Sequence, residues 1–319
     1  MQPPEKPTAA RPGGFARPLR LALWQGALRR PGAWAVELRE QARLARSQGA
    51  ELLLTPELLI PGFHFFGRQG FGADPKAVEA EIARIALDGQ IALCVGYAER
   101  RPGSEDFWNT AVLVDCSGEL RLRYRKHHTW GNEGKLGLVA SDEDLLAVDL
   151  VLPGPPAPCT VRTSLLICYD VEYPEMVRIL ACAPRHVELI LVPTALPYTE
   201  PNTSRRIVPA SAMQNRIFIA YCNYPCLPRV DREYFCGHSC VAGPDGEFCA
   251  GPMDWAEERL LFCSIGWTPH LRWLAHETPY LSDRRPDFYA SQGHCQRGLD
   301  APEPAPMPVD DGEEASAGV

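Results

Sequence analysis

Followed for its apolar and polar positions, the chain falls into short apolar runs separated by amphipathic stretches, an α/β rhythm. "LRLALWQGAL", from Leu19, predicts a strand. "AWAVELREQARLARSQGA" predicts a helix from its apolar spacing and its helix formers, with Gly49 near the C-terminus. "ELLLTPE" predicts a short buried strand, "AVEAEIARIALDG" a helix ended at Gly89, and "QIALCVGYAE" a strand. "WNTAVLVDCSGELRLRYRK" predicts a hairpin around Ser117-Gly118. Further on come a strand in "RTSLLICYD", a helix in "YPEMVRILACA" with Pro174 in its first turn, and a strand in "VELILVPTAL". A helix in "IVPASAMQNR", a strand in "IFIAYCN", a strand and turn in "GHSCVAGPDGEFCAG" and a last strand in "ERLLFCSIG" complete the pattern. Continuously apolar strands imply sheets covered on both faces, and hairpins among crossovers imply mixed sheets. No repeat, heptad or mid-chain linker interrupts this, so one folded domain is expected over residues 18–292. Residues 1–17 and 293–319, rich in Pro, Ala, Gly and Ser, read as loosely held tails.

Composition narrows the partners. The net charge of −8 argues against a basic nucleic-acid face, and part of it sits in the acidic C-terminal tail. No stretch approaches the ~18 apolar residues of a membrane helix. The N-terminus lacks an export-type apolar run, and twelve cysteines lie scattered, so a reduced, cytoplasmic setting is expected. Cys222, Cys226, Cys236 and Cys240 have loop spacings that a structural zinc site tolerates, but two of the four lie in expected strands, where thiols pack. His127 and His128 lack an obvious metal partner set. No metal or organic cofactor is expected.

Three strand ends pass abruptly from apolar to polar. They place Glu57 in "ELLLTPELLIPGF", Lys126 in "LRLRYRKHH" and Cys168 in "SLLICYDVEYPE". Reacting groups of α/β sheets gather outside strand ends. A thiol supplies a nucleophile, a carboxylate can take and return its proton, and an ammonium can hold an oxyanion. The backbone N–H of Tyr169 could be a second oxyanion donor. Taken singly, each residue has a plainer explanation. Cys168 could be strand packing and Glu57 a turn residue, although a lone charge among apolar neighbours is costly without a partner. Lys126 could belong to a solvated basic strand face.

Together and in this order, the three motifs resemble the nitrilase superfamily of carbon–nitrogen hydrolases over roughly residues 18–292. "TPELLIPGF", "YRKHH" and "LLICYDVEYPE" carry its glutamate, lysine and cysteine. "WGNEG" supplies Glu133 where the family often has a second glutamate that positions the lysine. "LVPTALP" is similar to the stretch lining the pocket, which implies Thr194 and Ala195 as substrate neighbours, with His128 as a pocket wall. "IVPASAMQNR" departs from the family in having Gln214 where glutamate is common. "GHSCVAGPDGE" and "YLSDRRPDFY" resemble later family segments. The resemblance implies a four-layer α-β-β-α sandwich of two mixed sheets, a homodimer or larger homo-oligomer, and hydrolysis of a small amide. "CYDVEYPE" is most similar to the aliphatic-amide branch, including ω-amino-amide hydrolases such as 5-aminopentanamidase. Glu172 would then face a cationic tail. An N-carbamoyl amine hydrolase and a nitrilase are the alternative enzymes, and a scaffold protein on the same fold is the non-enzymatic one. The loop "FHFFGRQGFG" is the expected specificity loop.

Overall fold

The computed structural model describes residues 15–63, 74–182, 184–226 and 235–292. Most of the expected specificity loop and both expected tails, except residues 15–17, lie outside these. In chain order the first half contains β1 (Leu19–Gln25), α1 (Trp34–Ser47), β2 (Leu52–Leu54), α2 (Pro75–Gly89), β3 (Ala92–Arg100), β4 (Phe107–Val114), β5 (Leu120–Arg125) and β6 (Leu138–Val139). The second contains β7 (Val148–Leu152), β8 (Cys159–Leu165), α3 (Pro174–Ala181), β9 (Leu189–Pro193), α4 (Val208–Asn215), β10 (Phe218–Cys222), β11 (Cys240–Ala242), β12 (Phe248–Ala250), β13 (Arg259–Ile265) and α5 (Pro269–Glu277).

Alternation along β1 shows how the layers arise. Leu19, Leu21 and Leu23 enter an apolar cluster shared with Leu165, Ile190 and Ile219 of the other sheet. Ala22 and Trp24 point the opposite way, into a cluster with Leu38 and Ala42 of α1 and Ile82 and Ile85 of α2. Side chains of successive strand residues leave opposite faces, so a strand apolar on both faces needs cover on both. One sheet runs β13-β1-β2-β3-β4-β5, with β6 beside β4, and the second runs β12-β11-β10-β9-β8-β7. Both mix parallel and antiparallel pairs: β1 with β2 and β8 with β9 are parallel, while β3 with β4 and β7 with β8 are antiparallel. Met176, Val177 and Leu180 of α3 and Val208 and Ala212 of α4 join the apolar cluster of the second sheet. The result is the expected four-layer α-β-β-α sandwich.

One local expectation is corrected, and two elements, β7 and α5, were not anticipated. The strand expected through Cys168 ends at Leu165, and Cys168–Glu172 is a 3-10 turn. β7 was not legible as a strand because it borders the sheet. Leu150 and Leu152 are buried while Asp149 and Val151 face outward, a pattern too short to stand out. Helix α5 buries only Leu271, so it has almost no apolar stripe. Its start is marked instead by Thr268, whose Oγ1 accepts the Leu271 N–H at 3.2 Å.

The described residues up to Ser282 form one compact unit and those from Asp283 a second. The described part of the second is α6 (Pro286–Ser291), beside which Arg285 stacks on Phe288 at 4.7 Å. Among the described residues no helix is long and apolar enough to cross a membrane.

Candidate active site

Glu57 sits in the turn that follows β2, with Leu58 next to it at φ 48°. The turn is held from the opposite sheet: the Glu57 N–H donates to the Thr194 carbonyl at 3.2 Å, and Tyr224 Oη donates to the Glu57 carbonyl at 2.8 Å. It also lies hard against β3. A Cβ at Gly96 would stand 2.8 Å from Leu58 N and 3.0 Å from Pro56 O, both backbone atoms that cannot swing aside. Gly96→Ala is therefore expected to displace the Glu57 turn and to lower kcat/KM by about 100-fold, since small misplacements of a reacting group have effects of that order. Steady-state kinetics on folded protein would check this, and unchanged kinetics would show that the turn tolerates the shift.

Lys126 follows the last residue of β5. Leu122 and Tyr124 of that strand belong to the core between the sheets. Period-two alternation carries Lys126 to the same face, where it is 1% exposed. Its Nζ donates to Glu57 Oε1 and to Glu133 Oε1, each at 2.7 Å. Glu133 opens a 3-10 turn and accepts the Trp130 N–H through its other oxygen at 3.0 Å. Burial opposes the charge of Lys126, but Glu57, Cys168 and Glu133 outweigh it and hold the ammonium well above the ordinary lysine range. One ammonium between two buried carboxylates leaves one negative charge in excess. Burial first, and then repulsion by Glu57, raises the Glu133 carboxyl despite Lys126.

Cys168 opens its 3-10 turn at φ 47°, a left-handed conformation that costs a non-glycine residue energy and recurs at functional sites. Its thiol is buried and pushed well above the usual cysteine range. Burial is the main cause and Glu57 adds to it. Lys126 and the Ala195 N–H, which bonds the sulfur, act in the opposite direction. The resting sulfur is thus a protonated thiol beside a lysine and a carboxylate. Tyr169 follows within the same turn, so its amide is the next one along from the sulfur-bearing residue.

The turn is fastened to the lysine segment by Asp170, a fully buried carboxylate absent from the sequence-based set. It accepts from Tyr124 Oη at 2.7 Å, His128 N at 2.9 Å, His128 Nδ1 at 2.8 Å, and the His127 and Ile167 amides at 3.4 Å. His128 is accordingly a positioning group here, with its ring also stacked on Tyr173 at 3.8 Å. Asn109 was missed as well. Its Nδ2 donates to Glu57 Oε1 at 2.6 Å.

The remaining expected site residues are distributed around this centre. Thr194, expected to line the pocket, is fully buried, and the bonds it makes support Glu57 and the core: its Oγ1 donates to the Val192 carbonyl at 3.2 Å. Ala195 touches the sulfur through its backbone. Glu172 ends the 3-10 turn, half-buried. Its carboxyl is raised by burial, lowered by a hydrogen bond from Thr203, raised by Glu200 and lowered by Lys126. Two of the late cysteines bond to backbone carbonyls. Cys222 donates to the Trp24 and Leu54 carbonyls at 3.2 and 3.4 Å, and Cys240 to the Ser204 carbonyl at 3.8 Å. Among the described residues no three His, Cys, Asp or Glu side chains are grouped to hold a metal.

This arrangement can perform nucleophilic acyl chemistry. It has a protonated thiol, a carboxylate with one oxygen unpartnered among the described residues, and a fixed ammonium. Comparison with known proteins agrees. The family described as carbon-nitrogen hydrolase matches residues 20–266. The chain is 32% identical to the "Hydrolase in pqqF 5'region" of Pseudomonas protegens, covering 89% of this chain and 97% of that protein. It is 28% identical to the 2-oxoglutaramate amidase of Paenarthrobacter nicotinovorans, over 76% of this chain and 81% of that one. Among solved structures it is similar to a mutant of the amidase from Nesterenkonia sp. AN1, with TM-score 0.73 and 31% identity over 86% of this chain and 97% of that one. That structure shows covalent addition of the acetamide moiety of fluoroacetamide at the active-site cysteine.

Proposed function

This chain belongs to the carbon–nitrogen hydrolase family, and we propose that it hydrolyses small aliphatic amides to a carboxylic acid and ammonia through a Cys168 thioester. The observation that carries the reading is the division of labour on Glu57. Oε1 takes the Lys126 ammonium, while Oε2 is buried with no hydrogen-bond partner among the described residues. That oxygen is the open acceptor in a site whose thiol cannot ionise unaided.

The cycle follows from these groups. Glu57 Oε2 takes the thiol proton as the sulfur attacks the amide carbon. Passing the proton to Glu57 leaves the excess charge of the site at one, whereas losing it to solvent would raise that excess to two. Lys126 Nζ and the Tyr169 N–H receive the charge that develops on the carbonyl oxygen. Glu57 returns the proton to the departing nitrogen and ammonia leaves, giving the thioester. Water, deprotonated by Glu57, attacks the thioester carbon. The acid leaves and the thiol regains its proton. Overall, one amide and one water give one acid and one ammonia. The covalently modified cysteine in the Nesterenkonia amidase supports the same role for Cys168.

Within this class we propose an ω-amino amide. Glu172 places a carboxylate in the field of Lys126, with Glu200 adding negative charge beside it. An ammonium on the substrate tail would compensate both. The relationship to 2-oxoglutaramate amidases favours a second reading, an amide bearing a carboxylate. Ammonia release would be measured from 5-aminopentanamide, pentanamide, a 2-oxo-dicarboxylic monoamide, an N-carbamoyl amine and the matching nitrile. The cationic amide is expected to exceed the neutral one by about tenfold in kcat/KM, the equivalent of roughly 1.4 kcal/mol. Preference for the anionic amide would replace the first reading by the second, and hydrolysis of the nitrile alone would remove both. We further propose a homo-oligomer, as the family resemblance implies. Sedimentation of a monomer at working concentration would refute it.

A further inference from the structure

Asn109 touches the proposed base directly. It lies in β4 two and four residues before Ala111 and Leu113, both members of the cluster between the sheets. Alternation turns Asn109 toward the same interior, where it is 2% exposed. A primary amide in such a place is costly unless it bonds. Its backbone carbonyl accepts the Lys126 N–H at 2.9 Å, so the amide and the ammonium come from neighbouring positions across the β4–β5 ladder. Both converge on one atom: Glu57 Oε1 receives Asn109 Nδ2 at 2.6 Å and Lys126 Nζ at 2.7 Å. The opposite amide orientation would set a carbonyl oxygen against a carboxylate. Glu57 Oε2 meanwhile has no partner among the described residues.

We infer that Asn109 is a positioning residue for this reaction: by saturating Glu57 Oε1 together with Lys126, it reserves Oε2 for the proton that passes between Cys168, the leaving nitrogen and water. The inference rests on Glu57 acting as the base. Without Asn109, Oε1 regains a free lone pair. The carboxyl can then turn about its bond to the chain, and the proton can settle on the wrong oxygen.

Asn109→Leu keeps the size of the side chain and removes the donor, while Asn109→Ser keeps a small polar group and serves as the second variant if the first does not fold. Each would be compared with wild type by kcat and KM on a turned-over amide across pH. The rate of Cys168 alkylation by iodoacetamide across pH, followed by mass spectrometry, would be the second readout because it needs no turnover. The expected result is a fall in kcat of about 100-fold, the usual scale of general acid–base help, with KM within about threefold. Cys168 alkylation is expected to slow as well, because the base no longer holds Oε2 toward the thiol. A folded variant with kcat within about threefold of wild type, or with lowered kcat but unchanged Cys168 alkylation, would overturn the inference and leave the amidase reading intact. Wild-type protein that neither hydrolyses amides nor alkylates at Cys168 would overturn both.

Discussion

Cys168→Ala is expected to fold, to bind amides, and to release ammonia at less than about 1/10,000 of the wild-type rate, the scale seen when a nucleophile is removed. The geometry explains why nothing substitutes for it. The Ala195 N–H bonds this sulfur, and Glu57 and Lys126 act on its ionisation from opposite directions. A water in place of the sulfur would lack the covalent link that divides the reaction into two easier steps. The fold, by contrast, loses little. The side chain is small, the resting thiol is neutral, and alanine is no worse than cysteine at φ 47°. A cost of about 1 kcal/mol, for a void smaller than a methylene series would leave, is the expected change in stability. Thermal unfolding and ammonia assays on the same preparation would check both halves. Turnover above about 1% of wild type, far above the residue left after nucleophile removal, would remove Cys168 from the role.

How much of this was legible beforehand varies residue by residue. Glu57 announced itself as one charge in an apolar setting, and the buried bonds to Lys126 and Asn109 show what compensates it. Lys126 looked like one member of a basic run, yet the run contains its own answer. Leu122 and Tyr124 turn inward, so Lys126 does too, while Arg123 and Arg125 turn outward to Glu79 and Glu99. Asn109 carried a similar signal, a polar side chain in phase with Ala111 and Leu113. Asp170 carried none, because its partners are two backbone amides and two side chains in a segment more than forty positions earlier, together with the nearby Ile167 amide. Spacing in the chain cannot report a contact of that kind. The paired cysteines carried two signals, a metal-like spacing and a place in expected strands. Their spacing suits a metal, but strand geometry sends Cys222 to carbonyls of β1 and β2 and Cys240 to that of Ser204. The layered fold was the most legible part, since runs apolar on both faces must be covered on both.

The largest combined loss is expected from Lys126→Met, which affects folding and chemistry together. In wild type, Glu57 is 1% exposed and Glu133 4% exposed, and both are ion-paired with this one ammonium. Methionine fills the space of the stem but leaves two carboxylates facing each other in the core. Removing one partner of a buried pair generally costs about 3–5 kcal/mol, because a bare charge stays behind. The protein core offers one remedy, protonation of a carboxyl, and Glu133 is already raised by burial and by Glu57 with the lysine present. Without Lys126 it rises further. The folded state then holds a proton that the unfolded chain, with a glutamate near pKa ~4.3, has released. Stability of the variant should therefore fall as pH climbs from that value through the folded-state value, and its deficit against wild type should shrink on acidification. The double variant Lys126→Met/Glu133→Gln removes the surplus charge and is expected to recover most of the stability. It should recover none of the activity, which stays down by about 1,000-fold or more for want of the oxyanion donor. Denaturant unfolding across pH, paired with ammonia release, separates the two roles. If the single variant matches wild type in stability at neutral pH, the carboxylates are not held by Lys126. If the double variant regains turnover, the ammonium serves structure alone and the charge on the intermediate is held elsewhere.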